Sequence, residues 1–267
     1  MTNTQITLFQ LDNYGPWTVT PEPRREPDLQ SLQSNLYADI CDFVGAHGGY
    51  AFFTRFDNMV AVTNGLTYES HSQLQESLGN RYPVTVSAAF ENDPNPSVAL
   101  SESTLALQNA GSAQDDSRQT ILVGDSMTDA TRSMRDVCIA HFDVINATEK
   151  LTDNLDAFES FLTINQTYKT LAEHLYHEYN SLAFFVGGDN IIAVCRNLDT
   201  EQFRSVLQHV SKVTGTKLQV GVGMGPTAVE AGQTAKTALE TCRTQERKLV
   251  VGGGESTDQI GSATSRT

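Results

Sequence analysis

Four aspartates recur at matching places in the two halves of this 267-residue chain. Asp12 and Asp143 close the apolar stretches ITLFQLD and VCIAHFD, and Asp57 and Asp189 each precede an asparagine between two apolar runs. Paired carboxylates suit a hard divalent cation. Mg2+ in particular takes one or two of them and completes its shell with water and phosphate oxygens. A cation held that way neutralises phosphoryl charge and orients a water for in-line attack. A single Asp in a turn is ordinarily there because it tolerates turn geometry and bonds its own backbone. It is the doubling of both positions that points to a metal.

The elements that must position these residues follow from an internal repeat. AFFTRFDNMVAV (51–62) aligns without gaps on AFFVGGDNIIAV (183–194), with seven of twelve positions identical. At nearly the same offset, ITLFQLDNYG (6–15) falls on VCIAHFDVIN (137–146). Each strand precedes a polar loop and then a helical pattern. Leu29, Leu32, Leu36, Ile40 and Phe43 form the stripe in the first half, and Phe161, Ile164, Tyr168, Leu171 and Leu175 in the second. Hairpins turning at 54–58 and 186–190 come next, then helices near 69–79 and 200–214. Strands at 84–90 and 218–224 and third helices near 96–110 and 226–243 complete each half. The order strand–helix–strand–strand–helix–strand is the ferredoxin-like split unit. The expected fold is therefore α/β (of the α+β kind): a tandem pair of ferredoxin-like modules, 1–115 and 137–250. A connecting segment (116–136) would join them, and a Gly/Ser/Thr-rich tail (251–267) would be disordered. Strands 1 and 3 of such a unit are antiparallel neighbours. The end of strand 1 thus lies beside the hairpin, bringing Asp12 to Asp57 and Asp143 to Asp189.

Composition narrows the function. The chain carries 32 acidic against 18 basic residues, a formal charge of −14. An acid excess excludes a general grip on DNA or RNA, which needs clustered basic side chains. It leaves nucleotides open, because a metal bridges carboxylates to phosphate. Only six of the basic residues are Lys, and acid-rich, lysine-poor surfaces suit a high-salt cytoplasm as well as an ordinary acidic protein. Apolar runs are far short of the ~18 residues that span a bilayer. The N-terminus lacks a basic region and apolar core, so a cytoplasmic location is expected. Cys41, Cys138, Cys195 and Cys242 are too scattered for a CxxC-type zinc site. Short sheet edges and paired modules make a homo-oligomer plausible.

The second hairpin reads Gly187-Gly188-Asp189-Asn190, where paired glycines allow positive φ and a close approach of backbone to ligand. It resembles the Gly-Gly-Asp/Glu-Glu-Phe (GGDEF) hairpin of diguanylate cyclases and the palm of class III nucleotidyl cyclases and polymerases. The first hairpin has Arg55 and Phe56 in place of the glycines, so the copies have diverged. LDNYGPWTVTPEPRREPDLQSLQSNLYADI, GAHGGYAFFTRFDNMVAVTNG and NRYPVTVS, with GSAQDD (111–116) and FFVGGDN (184–190), resemble the archaeal GTP cyclohydrolase III family over nearly the whole chain.

That resemblance implies an Mg2+-dependent enzyme that hydrolyses GTP in two places. One water opens the guanine imidazole ring with the formyl group retained, and the triphosphate is cut to the monophosphate. The product is 2-amino-5-formylamino-6-ribosylamino-pyrimidin-4(3H)-one 5′-monophosphate with inorganic phosphate, for riboflavin and deazaflavin synthesis. A nucleotidyl or diguanylate cyclase, or a GTP-sensing module without turnover, is the alternative on the same palm. On the residues themselves, Asp12, Asp57, Asp143 and Asp189 are the expected metal ligands. Asn13, Tyr14 and Gly15 offer backbone N–H groups to phosphate after strand 1. Arg24 and Arg25 are candidate phosphate clamps, unless Glu26 and Asp28 occupy them. Asn58 and Asn190 either bond guanine edges or stabilise their turns, and Gly187 and Gly188 shape the ligand hairpin. Trp17 stacks on the base or packs on its own module. His47 and His141 titrate near neutrality close to the proposed sites, although a structural role suits each; His174 and His177 read as a solvated helix face.

Overall fold

The computed structural model describes residues 3–125 and 137–252. These residues form two compact units, 3–125 with 226–229 and 137–225 with 230–252.

The first unit contains β1 (Thr4–Leu11), α1 (Tyr14–Val19), α2 (Glu26–Ala46), β2 (Tyr50–Phe53), β3 (Asn58–Val62), α3 (Tyr68–Arg81), β4 (Val86–Asp93), α4 (Pro96–Asn109) and β5 (Leu122–Gly124). Its sheet runs β2-β3-β1-β4-β5, antiparallel except for the β4–β5 pair. β1 is the central strand, and its alternation serves two layers. Phe9 and Leu11 pack with Leu36, Ile40 and Val44 of α2 and Leu74 and Leu78 of α3. Leu8 and Gln10, on the other face, turn toward α4. Beneath α3 sits a buried polar cluster: His71 Nδ1 donates to the Thr67 carbonyl at 2.8 Å, and its Nε2 pairs with Thr7 Oγ1 at 2.8 Å.

The second unit repeats the plan with β6 (Val137–Val144), a π turn (Thr148–Thr152), α5 (Ala157–Tyr179), β7 (Leu182–Gly187), β8 (Asn190–Cys195), α6 (Thr200–Thr214), β9 (Leu218–Gly225), α7 (Ala228–Thr244) and β10 (Leu249–Val251). The sheet order β10-β9-β6-β8-β7 is the counterpart of the first. Cys138, Ala140, Phe142 and Val144 of β6 bury against Leu171 and Leu175 of α5 and Phe203, Val206 and Val210 of α6. α6 is held at both ends, by an Asp199/Gln202 capping box and by Gly215 in the left-handed region. The glycines of β9 let α7 lie on the sheet. A Cβ on Gly223 would meet the Ala231 carbonyl oxygen at 2.1 Å, and one on Gly221 the Ala235 carbonyl oxygen at 2.2 Å.

The tandem ferredoxin-like architecture and its strand pairing are as expected, with four differences. Each sheet gains a fifth, parallel edge strand, β5 or β10, so part of the 116–136 segment belongs to the first module and the second extends past residue 250. The rest of the connecting segment, 126–136, and the tail from 253 lie outside the described residues. The loop after β1 contains the short helix α1. β4 begins at Val86, two residues later than expected. The apolar stripe of α5 starts at Ile164, whereas Phe161 is 51% exposed beside Phe158 and Leu162.

Candidate active site

In the second unit, the last residue but one of β6 is Asp143, which is 4% exposed and faces Gln219 across the β6–β9 ladder. Gln219 Nε2 donates to Asp143 Oδ2 at 2.8 Å. The β7–β8 hairpin turns through Gly187 (φ 113°) and Gly188 (φ 62°), conformations that favour glycine. That turn lays Asp189 over the end of β6, where Val144 N–H donates to Asp189 Oδ2 at 3.3 Å. The two carboxyls meet. Burial, and then the Asp143 charge, push the Asp189 pKa up. Arg243, in the last turn of α7, answers the pair. Its Nη2 lies 2.9 Å from Asp143 Oδ1 and its Nε donates to Oδ2 at 3.2 Å, while Nη1 donates to Glu240 at 2.6 Å. A cavity of about 370 Å3 opens here, bounded by Asp143, Asp189, Gln219, Arg243 and the loop from Val144 to Thr148. Asn190 Oδ1 pairs with His141 Nε2 at 2.9 Å, and burial holds that imidazole's pKa below its ordinary value.

The first unit has the same backbone plan with different partners. Leu11 N–H donates to the Asp57 carbonyl at 3.0 Å, fixing the hairpin beside the end of β1. Yet Asp12 is 8% exposed and accepts from Thr85 Oγ1 (2.9 Å) and Ser87 Oγ (2.7 Å), with Arg118 Nη2 at 3.7 Å. Asp57 pairs with Arg55 at 2.6 Å and accepts from Asn58 Nδ2 at 3.1 Å. Gln10 Nε2 donates to Asn58 Oδ1 at 3.3 Å, the counterpart of the His141–Asn190 bond. A cleft of about 630 Å3 lies alongside, lined by Leu8, Gln10, Asn58, Val60, Leu100 and Gln108 among others.

Several expected binding groups are already engaged. Asn13 adopts φ 50° and its N–H donates to the Ala113 carbonyl, while Gly15 N–H donates to Gln114 Oε1 at 3.1 Å. Tyr14 stacks on Trp17, and burial, helped by Glu26 and Asp57, raises its pKa. Arg24 lies 3.8 Å above the Trp17 ring and donates to the Thr20 carbonyl at 2.8 Å; Arg25 forms a bidentate pair with Asp28. Neither arginine is brought to the carboxylates, and Trp17 packs on its own module. His47 Nδ1 donates to the Phe43 carbonyl at 2.8 Å and its ring stacks on the Phe43 ring at the C-terminal cap of α2. His174 stacks on His209 at 3.9 Å rather than pairing with His177.

Sequence reasoning missed Arg118 and Arg243, the cation beside the strand-end Asp in each unit, and the partners Thr85, Ser87 and Gln219. The two arginines share no alignment column. Arg243 belongs to α7, whereas Arg118 lies in a loop nine residues beyond the end of α4.

Among the described residues, no group of three or more His, Cys, Asp or Glu is placed to hold a metal. A cation at either pair would therefore complete its shell with backbone, water or phosphate oxygens, as Mg2+ commonly does. The Asp143/Asp189 donors fit such an ion, being two hard, crowded carboxylates beside a polar cavity. In the first unit Arg55, which is 72% exposed, must leave Asp57 for an ion to bind there.

Fold and site together define a tandem palm-type α/β protein in which each module carries a strand-end and a hairpin carboxylate. The GTP cyclohydrolase III family model matches residues 6–253, and the chain belongs to that family. The GTP cyclohydrolase III of Natronomonas pharaonis is 58% identical over 243 residues, covering 91% of this chain and 96% of that protein. GTP cyclohydrolase III 1 of Halobacterium salinarum is 55% identical, over 91% and 95%. The Methanocaldococcus jannaschii GTP cyclohydrolase III is 44% identical, over 90% and 88%. Distant likenesses are found among solved structures. The GGEEF domain of a Vibrio cholerae diguanylate cyclase gives a TM-score of 0.39 at 13% identity, over 47% of this chain and 88% of that one. A bacterial light-regulated adenylyl cyclase gives 0.35 at 11%, over 93% and 85%.

Proposed function

We propose that the protein is a GTP cyclohydrolase of type III. It opens the guanine imidazole ring with the formyl group retained and cuts the triphosphate to the monophosphate, releasing inorganic phosphate. Membership of the family over nine-tenths of the chain supports the substrate and reaction. The observation that carries the chemistry is the meeting of Asp143 and Asp189 at the rim of a polar cavity. The proposed cofactor is Mg2+, held by Asp143 and Asp189 and, once Arg55 swings away, by Asp12 and Asp57. Bound there, Mg2+ supplies charge neutralisation at the phosphoryl oxygens and orients the attacking water.

The chain's own groups do the rest. Gln219 fixes the Asp143 carboxylate, the Val144 N–H fixes Asp189, and the guanidinium of Arg243 has the fork geometry that matches phosphate oxygens. The amides of Gln10, Asn58 and Gln108 give the first-unit cleft donors and acceptors suited to a purine edge, above the apolar floor of Leu8, Val60 and Leu100. A cytoplasmic location belongs to the same proposal; no described helix is long and apolar enough to cross a membrane. So does a homo-oligomer, for which Phe158, Phe161 and Leu162, 51–67% exposed at the start of α5, offer an apolar contact.

Asp189→Asn keeps the side chain's shape and removes one of the paired charges. The variant should fold and lose Mg2+-dependent turnover of GTP by 100-fold or more, on the order of a lost transition-state contact of ~2.7 kcal/mol. Turnover within threefold of wild type would count against the pair.

A further inference from the structure

Arg243 does more than brace Asp143. Its side chain is 41% exposed at the mouth of the 370 Å3 cavity, while the Asp143 side chain that it grips is, taken alone, 6% exposed. It meets that carboxylate with two nitrogens, and Asp189 also acts on it electrostatically. Its third nitrogen is tied to Glu240, one turn back on the same helix, which gives the guanidinium a second acidic anchor outside the cavity floor. One partly exposed arginine thus supplies the positive charge beside the Asp143/Asp189 pair, where a divalent ion would otherwise do so. The first unit differs: Arg118 is 4% exposed and bonded to Gln10 and the Gly111 carbonyl, which makes it a fixed part of the interior.

We infer that Arg243 is a displaceable counter-cation of the Asp143/Asp189 pair, competing with the metal for the carboxylates and engaging the nucleotide's phosphates once the metal is in place. This rests on the proposed GTP chemistry for its second half only. Competition for the carboxylates rests on the proposed metal site alone and needs no nucleotide. Because the arginine must be displaced, metal alone binds weakly; because the freed fork then meets phosphate oxygens, metal and nucleotide bind cooperatively. Glu240 holds the guanidinium near the mouth in both arrangements.

The test is Mn2+ binding to the full chain, read by electron paramagnetic resonance of free Mn2+ with and without a non-hydrolysable guanosine triphosphate analogue. Arg243→Gln should bind Mn2+ alone about fivefold more tightly than wild type, the scale of one partly exposed ion pair. With Mn2+ present it should bind the analogue about tenfold or more weakly, the loss of a charge-assisted fork. Arg243→Lys keeps the charge without the fork. It should leave Mn2+ affinity near wild type but still weaken the analogue, which separates the inference from simple misfolding. Unchanged or weaker Mn2+ binding in Arg243→Gln overturns the competition, as does absence of Mn2+ binding in both proteins. If Mn2+ binding tightens but analogue affinity is unchanged, the phosphate role is overturned. The cyclohydrolase reading is judged separately, by the product formed from GTP.

Discussion

Asp12 and Asp189 occupy different surroundings, so the same conservative substitution should cost the fold far more at Asp12 than at Asp189. The side chains of Asp12 and Arg118 are 7% and 4% exposed, and the aspartate oxygens also accept from Thr85 and Ser87. Arg118 Nε and Nη2 have no hydrogen-bond partner, so much of what compensates that buried guanidinium is the charge of Asp12. Breaking a buried pair by removing one member costs about 3–5 kcal/mol. Asn at position 12 retains some of the hydroxyl contacts, which places Asp12→Asn near the lower end, at about 3 kcal/mol. The protein's single tryptophan, Trp17, packs on the core of this unit and reports its unfolding. Urea titration followed by Trp17 fluorescence should therefore show a lower midpoint with little change in slope. Replacing Arg118 by Met in the Asp12→Asn background removes the stranded charge and should recover at least about 1 kcal/mol, a coupling that a double-mutant cycle detects. If Asp12→Asn is within about 0.5 kcal/mol of wild type, or the cycle shows no coupling, the buried-pair argument is wrong. The consequence for function is direct: lost activity in an Asp12 variant reports folding as well as any metal, whereas Asp189 is a cleaner probe.

Other perturbations reach the framework. Burial holds the His71 pKa down at about 4 from an ordinary 6.5, so the unfolded chain takes up its proton before the folded one does. Stability is then fully present above pH 6.5 and falls toward pH 4, by about 3 kcal/mol from this residue. His71→Gln should flatten that part of the stability–pH curve, and an unchanged slope would contradict the assignment. Gly223→Ala should destabilise the second unit by about 2 kcal/mol or more, because its Cβ would meet the backbone of α7. Gly79→Ala, at a helical position with nothing within 4 Å, should instead stabilise by about 0.5–1 kcal/mol. Thermal melts of the two variants that shift in the same direction would refute the packing argument.

The parts of the fold that are contiguous in sequence were the legible ones. An apolar strand ending in Asp, and a hairpin carrying Asp-Asn, announce themselves within a dozen residues, and the repeat doubles the signal. Sheet topology then carries Asp143 to Asp189. What sequence could not supply was the side-chain partner. Arg24 and Arg25 had the right chemistry for phosphate, yet one settled on Trp17 and the other on Asp28 one turn away. Arg118 and Arg243 converge on the strand-end aspartates from segments with no common register. β5 and β10 are three-residue strands, too short to show a period of two, and they pair in parallel with a strand adjacent in space only after a helix has intervened. Phe161 fits the helical stripe by spacing, but it lies in the first turns of α5, ahead of the point where that helix reaches its core at Ile164.

The central claim is the reaction itself, and mass spectrometry of GTP incubated with the full chain and Mg2+ addresses it most directly. Ring opening by one water and two phosphoanhydride cleavages predict a nucleoside monophosphate one water heavier than GMP, with the formyl carbon retained, and two inorganic phosphates released per product. A cyclic or dinucleotide product with an intact purine, or GTP recovered unchanged under conditions where the protein is folded, would contradict it.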